Sequence, residues 1–573
     1  MTDPSLPLSL LSKIYGSEAA RPLWQELRAR LSRARHDNPP RPPAWLTQKD
    51  AMLISYGDQV SAPGVPPLAS LADFCRQHLG GKISSLHILP FYPSSSDDGF
   101  AVKDYRQVDP ALGSWDDIAR LSVDFQLMFD AVINHVSARG RWFRAFLRDE
   151  QPYRDYFITV DGSPDLSQVV RPRTLPLLTR FGGKDVWTTF SADQVDLNYQ
   201  NPQVLLEIID LLLFYAAQGA EFIRLDAIAY LWKEPGTSCI HLPQTHAIIQ
   251  LFRAVLDEAA PNVRLITETN VPHLDNIAYF GDGSNEAQLV YNFALPPLVL
   301  HTLQTADSRA LTTWAGDLSL PGPGVTFFNF LASHDGIGLN PVRGILPEKD
   351  IQALVKRALA HKGLVSYKQN PDGSQSPYEL NINYFDALSD PQGSEPLNLQ
   401  VGRFMAAQAI LLSMVGMPGI YFHSLFGSRG WRQGPEQTGS NRSINRQKLT
   451  RKELENDLAH EDNLRHVVFS SYANLLRARA SSPAFDPYGL QTSLNCGRSI
   501  FGLLRKPARG GERVLCLQNI SPEAQSVSLD QKSQSADLPA RLAGLNLVTG
   551  SRAKDFSSIT LAPYETVWLA LDA

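Results

Sequence analysis

This 573-residue chain is predicted to be an α/β protein, a (β/α)8 TIM barrel with inserted loop domains and a C-terminal antiparallel β domain. Three observations predict it. Eight short apolar runs end in polar residues, which is how parallel strands buried on both faces read. Helical stretches separate many of these runs, as in a barrel built from βα units. About the last eighty residues then change to short, partly alternating runs set off by Gly and Pro, the pattern of antiparallel strands.

Taken in order, residues 7–36 place Leu10, Leu11, Ile14, Leu23, Leu27 and Leu31 at roughly helical spacing with charges between them. Helices are expected there, ahead of the proline-rich linker "NPPRPPAW". The candidate barrel strands are "AMLISYG", "SLHILPF", "LMFDAVINH", "FIRLDAIAY", "RLITETN", "LVYNFAL", "FFNFLASHD" and "GIYFHSLFG". A doubly wound open sheet would give the same local pattern. Two gaps, about 136–199 and 338–395, are too long for ordinary connections. Such excursions inside a compact domain are usually functional, so they are expected over the barrel's C-terminal face. Near the end, "RSIFGLLRK", "ERVLCLQNI", "AQSVSLD" and "ETVWLALDA" read as strands of the antiparallel domain. The expected division is a helical extension and linker over 1–45, the barrel over 46–480 and the β domain over 485–573.

Composition narrows the function. With 43% hydrophobic and 19% charged residues the chain can bury a large core and is not disordered. A net charge of -5 is too small for this length to build a field for nucleic acid or an anionic membrane. No apolar run reaches the roughly 18 residues a membrane span needs. The start lacks the basic segment of a signal peptide, and Cys75, Cys239, Cys496 and Cys516 are scattered without metal-ligand spacing. A cytoplasmic protein with buried thiols is the expectation.

The charges at the strand ends carry the chemistry. The third strand runs into Asp130, Asn134 and His135, the fourth carries Arg224 and Asp226, the fifth ends at Glu268 and the seventh at His334 and Asp335. In a barrel these ends share one mouth. Carboxylates converging there without metal-ligand spacing point to glycosidic bond chemistry, which needs one carboxyl protonated and another ionised. Arg224, two residues from Asp226 on the same strand face, is expected to hold Asp226 ionised. Glu268, preceded closely by Leu265 and Ile266, is the better candidate for an acid/base with a raised pKa.

"DAVINH", "IRLDAIAY", "ITETN" and "FLASHDGIG" resemble, in order and rough spacing, the four signature regions of the α-amylase superfamily, glycoside hydrolase family 13. "SADQVDLN" resembles a fifth region near the end of that family's inserted B domain. The resemblance implies the barrel, a retaining mechanism, Asp226 as nucleophile, Glu268 as acid/base and Asp335 as the carboxylate stabilising the transition state. It also implies that Arg224, His135 and His334 hold the sugar or the nucleophile. Many amylases bind calcium near the B domain through the counterpart of Asn134, but no acidic cluster dense enough for calcium stands out and no metal is expected.

"EPGTSCIHLP", "YNFALPPLVLHTL" and "SHDGIGL" resemble the sucrose phosphorylase subfamily, whose members pass a glucosyl unit to inorganic phosphate and form α-D-glucose 1-phosphate. That resemblance implies phosphate as co-substrate, no cofactor, a small sugar as the other partner, and a monomer or homodimer. It makes Asp97 and Arg442 grips on the glucose hydroxyls, Phe190 and Tyr230 aromatic walls, and Arg173 the phosphate-binding cation. Tyr378 belongs with Arg173 on the acceptor side. Departures cluster on that side: "RPRTLPLLT" for "RPRPGLPFT", Asn270 for His, Glu379 for Gln and Ser443 for Asp. "RPRTLPLLT" and "GSRGWRQGPEQTGSNRSINR" are more similar to the glucosylglycerate phosphorylases, which cleave 2-O-α-D-glucosyl-D-glycerate. Lys184, Arg429 and Arg432 are loop candidates for the glycerate carboxylate. Sucrose, sucrose 6′-phosphate and glucosylglycerol are the alternative substrates, and an α-glucosidase hydrolase is the competing activity.

Overall fold

The computed structural model describes residues 5–37, 40–370, 372–528, 538 and 542–572. Eight parallel strands close a barrel in sequence order: β1 (Met52–Ser55), β2 (Ser85–Ile88), β3 (Gln126–Ala131), β4 (Ala220–Leu225), β5 (Arg264–Thr267), β6 (Leu289–Tyr291), β7 (Thr326–Asn329) and β8 (Met417–Tyr421). Each lies within or overlaps one of the eight apolar runs. The open sheet is thereby excluded, because β1 pairs with both β2 and β8.

Local sequence explains how the strands facing the site are delivered. A capping box between Ser114 and Asp117 starts the helix Trp115–Asp124 that leads into β3. Pro202 opens the helix Pro202–Ala217, where the Asn201 side chain accepts from the Gln203 amide at 3.0 Å. Gly219, at φ +95°, then reverses the chain into β4 in a conformation that a residue with a Cβ resists. Register does the rest. Arg224 on β4 lies opposite Asp130 on β3 and Ile266 on β5, so the two charges meet across neighbouring strands.

Both long gaps carry structure of their own, where the sequence read as irregular. The first holds the helix Arg141–Leu147, a hairpin of Leu178–Phe181 with Lys184–Trp187, and a pairing of His135–Ser137 with Gln194–Asp196. The second holds the helix Glu348–Ala360 and a hairpin of Leu364–Gln369 with Gln375–Asn381. The N-terminal helices, Leu6–Tyr15 and Ser17–Asp37, bury Leu10, Leu11, Ile14, Leu23, Leu27 and Leu31 in the same continuous core as the barrel.

The C-terminal region forms a six-stranded antiparallel sheet. Phe501, Leu503 and Trp568 join the barrel core, whereas Leu504, Leu515 and Leu569 pack in a second cluster on the other side. Buried guanidiniums bind carbonyls around this junction: Arg505 ties the sheet to the Ser413 and Asp486 carbonyls, and Arg479, on the helix before the sheet, donates to Asp50 and Phe485. Among the described residues no helix is long and apolar enough to cross a membrane.

Candidate active site

Just beyond β4 and β5 two carboxylates meet one guanidinium. Arg224 Nη1 donates to Asp226 Oδ1 at 2.8 Å, and its Nη2 stands 3.7 Å from Glu268 Oε2. Shared contact with one planar group keeps the two carboxyls within the roughly 5 to 10 Å that glycosidic catalysis uses. Arg224 is held in turn by Asp130, which accepts from its Nη1, while His87 Nε2 lies 2.7 Å from the other Asp130 oxygen. Ala227 follows Asp226 at φ +49°, a left-handed position costly for a residue with a Cβ. That turn aims the Ala227 amide at Glu268 Oε2, 3.0 Å away.

The third carboxylate arrives from the loop after β7. Asp335 lies 2.6 Å from Arg442 Nη1 and 3.5 Å from His334 Nε2. The His334 ring stacks on Phe100, with centroids 4.7 Å apart and planes 4° from parallel. Arg442 also grips both oxygens of Glu379, through Nε at 3.1 Å and through Nη2. Arg173 stands 4.0 Å from the same Glu379 and lies over the Tyr378 ring. Phe190 packs edge-on against Tyr230 and beside His135.

These groups line one pocket, which has about 650 Å³ of empty space when the open solvent at its mouth is included. Asp226, Glu268, Asp335, Asp97, His135, His334, Arg442, Phe190, Tyr230, Arg173, Asn270, Tyr378 and Glu379 all contribute to its wall. Arg224 does not. It is 1% exposed and acts from beneath, through Asp226. Two further expectations need correction. His334 and Asp335 do not end β7, which stops at Asn329; they sit on the loop that follows. The loop cations proposed for a carboxylate also point elsewhere. Arg429 pairs with Asp386 at 2.8 Å, Lys184 lies over the Phe146 ring, and Arg432 is exposed outside the pocket wall. Proximity along a loop says nothing of the partner a long side chain finds across the fold.

Sequence reading missed Phe100, Gln194 and Phe293 in the wall, and Arg446 behind it. Phe100 and Gln194 were available in principle, within "DDGF" and "SADQVDLN". Gln194 Nε2 donates to the Phe100 carbonyl at 3.2 Å and lies 3.5 Å from Asp97 Oδ2, joining the inserted segment to the loop after β2. Asn134 accepts from Lys233 Nζ at 2.7 Å, and the same ammonium pairs with Asp196 at 2.6 Å.

Burial pushes Asp226 up to about 6 against the pull of Arg224. Glu268 rises further, to about 7, through burial and the neighbouring charges of Asp226 and Asp335, again opposed by Arg224. Arg224 thus offsets burial at Asp226 without overcoming it, a correction to the expectation drawn from the pair alone. Burial also acts on Asp335, but Arg442 foremost, then His334, Arg224 and Arg446, bring it below the ordinary carboxyl range. Near neutrality the site therefore contains an ionised Asp335 beside Asp226 and Glu268, both held above the ordinary carboxyl range by burial, so that one proton can stay on the pair while its other member is ionised. That is the division of roles a double displacement at an anomeric carbon requires.

Comparison with known proteins agrees. Residues 77–317 match the catalytic domain of α-amylase. A glucosylglycerate phosphorylase of Spirochaeta thermophila is 51% identical over 98% of this chain and 97% of its own length. One from Escherichia coli is 45% identical over 98% of each chain. Among solved structures, the sucrose 6F-phosphate phosphorylase from Thermoanaerobacter thermosaccharolyticum superposes with a TM-score of 0.71 at 25% identity, covering 83% of this chain and 95% of that one. The barrel, the carboxylates at its mouth and these likenesses together establish that the chain belongs to the α-amylase family, glycoside hydrolase family 13, alongside its phosphorylases.

Proposed function

We propose that this chain is a retaining glucoside phosphorylase that moves an α-glucosyl unit from 2-O-α-D-glucosyl-D-glycerate to inorganic phosphate. The observation that carries the substrate is 51% identity, along nearly the whole chain, to a relative named for that reaction. The pocket supplies the chemistry. Asp226 attacks the anomeric carbon while Glu268 passes its proton to the departing glycerate oxygen, so the glycosidic bond breaks as a glucosyl ester on Asp226 forms. Phosphate then attacks the same carbon, its proton passing to Glu268, and the ester opens to give α-D-glucose 1-phosphate with configuration retained. Asp335 opposes the positive charge that develops on the sugar ring in both steps.

Asp97, His135, His334 and Arg442 take the glucosyl hydroxyls, with Phe190 and Tyr230 as walls. Arg173, Asn270, Tyr378 and Glu379 form the acceptor side. Glycerate and phosphate are both anions and occupy that side at different times. One cation can therefore serve both, and Arg173, over the Tyr378 ring and 4.0 Å from Glu379, is assigned that part. Phosphate acts as co-substrate.

The test is a phosphorolysis panel. With phosphate present, glucosylglycerate should release glucose 1-phosphate, and sucrose, sucrose 6′-phosphate and glucosylglycerol should react at least about tenfold more slowly, the loss expected when a buried charge partner goes unmatched. Free glucose formed at a rate independent of phosphate would instead identify a hydrolase and sink the proposal.

A further inference from the structure

The chain around Asp97 adopts a costly shape. Asp97 and Asp98 both have left-handed backbone, at φ +52° and +48°, and Gly99 follows at +110°. Asp tolerates that region better than most residues with a Cβ, yet two in succession must be held there by their surroundings. At Gly99 no Cβ fits at all, since it would stand 2.6 Å from the Pro90 carbonyl oxygen.

Besides the Gln194 contacts to Asp97 and the Phe100 carbonyl, one buried cation holds this turn. Arg446, 3% exposed, comes from the segment after β8 and reaches both neighbouring loops. Its Nη1 lies 2.6 Å from Asp98 Oδ2 and 3.6 Å from Asp97 Oδ1, while its Nε donates to the His334 carbonyl at 2.8 Å. Its Nη2 has no hydrogen-bond partner among the described residues and stands 4.0 Å from Asp335 Oδ1. Arg446 is absent from the pocket wall, so these contacts position other groups. A planar fork with donors in fixed directions can hold two loops at a set separation, which a lysine ammonium cannot.

We propose that Arg446 is the positioning residue that fixes Asp97 and the His334–Asp335 loop at the glucose-binding end of the pocket, an inference that rests on the glucosyl-transfer reading above. It acts on the sugar common to both half-reactions and leaves the acceptor side alone. Asp98, which is half exposed and not itself part of the pocket wall, serves as its outer anchor.

The experiment uses the full-length enzyme in the synthetic direction, with glucose 1-phosphate as donor, glycerate as acceptor and glucose as a competitive inhibitor. In Arg446→Met the glucose inhibition constant and the donor KM should rise at least about tenfold, the scale of one charged hydrogen bond, while the glycerate KM moves less than about twofold. Arg446→Lys, which keeps the charge without the fork, should not rescue. Asp98→Ala should shift the same two constants about threefold, as for a half-exposed pair. A merely structural role would lower kcat through the active fraction and leave the inhibition constant unchanged, which would overturn the proposal. So would an unshifted Asp98→Ala, even if the Arg446 variants failed to fold. A wild type inert toward every glucosyl donor would bring down the functional reading itself, whereas an active wild type with unshifted variants would bring down only the role of Arg446.

Discussion

Replacing Glu268 by Gln separates what this carboxyl does for catalysis from what it costs the fold. Its side chain, 13% exposed at the mouth of β5, accepts from the Ala227 amide and has its pKa moved from the ordinary 4.5 to about 7. A shift of that size corresponds to about 3 kcal/mol. Between these two values the unfolded chain has released a proton that the folded chain still holds, so wild-type stability falls as pH rises through the window, and the loss is complete above 7. Gln keeps an acceptor for the Ala227 amide and carries no charge. Its melting temperature should match that of wild type near pH 4 and exceed it at pH 8 by about 2 to 3 °C, which is what about 3 kcal/mol produces in a chain of this length. Turnover of glucosylglycerate should meanwhile fall on the order of 10²- to 10⁴-fold, the usual worth of a general acid/base. Thermal melts across pH, with single-turnover kinetics on the same samples, measure both. A melting difference that does not change with pH would refute the burial argument, and near-native turnover would remove Glu268 from the mechanism.

Three more outcomes are expected. The pH dependence of kcat/KM for the glucoside should be a narrow bell, rising as the coupled Asp226–Glu268 pair loses its first proton and falling as it loses its second, both above the ordinary carboxyl range; a plateau extending past pH 9 would contradict it. Arg173→Ala should raise the KM for phosphate and for glucosylglycerate by at least about tenfold each through loss of a charged contact. An effect on phosphate alone would assign the glycerate carboxylate to another group. Asp130→Asn should destabilise the protein by about 3 kcal/mol or more, because Arg224 loses a buried partner. It should also move the acid limb of the bell to lower pH, because the Asp130 charge raises Asp226, and denaturant melts together with pH profiles would show both.

The barrel was legible because its evidence is local. A strand buried on both faces must be apolar along its length, so "SLHILPF" or "FFNFLASHD" announces itself wherever it ends up. The carboxylates at the strand ends were legible for the same reason, and Asp226, Glu268 and Asp335 do share one pocket. The loops were less readable. His334 and Asp335 belong to a segment beyond β7, and the two long gaps fold into helices and hairpins where irregular chain was expected. Arg429 and Lys184 looked available to an anion, yet Asp386 and the Phe146 ring engage them.

The sequence by itself determined the eight strands, the acidic residues at their ends and the kind of bond such residues act upon. Only the tertiary structure decided which charges face one another: Asp130 with Arg224 across two strands, Glu379 between Arg442 and Arg173, and Arg446 against Asp98, 348 residues earlier in the chain. The physical reason is range. Hydrophobic periodicity is written into neighbouring residues, whereas the energy of a buried ion pair depends on a distance of a few ångströms between groups 63 to 348 residues apart, which exists only once the barrel has closed.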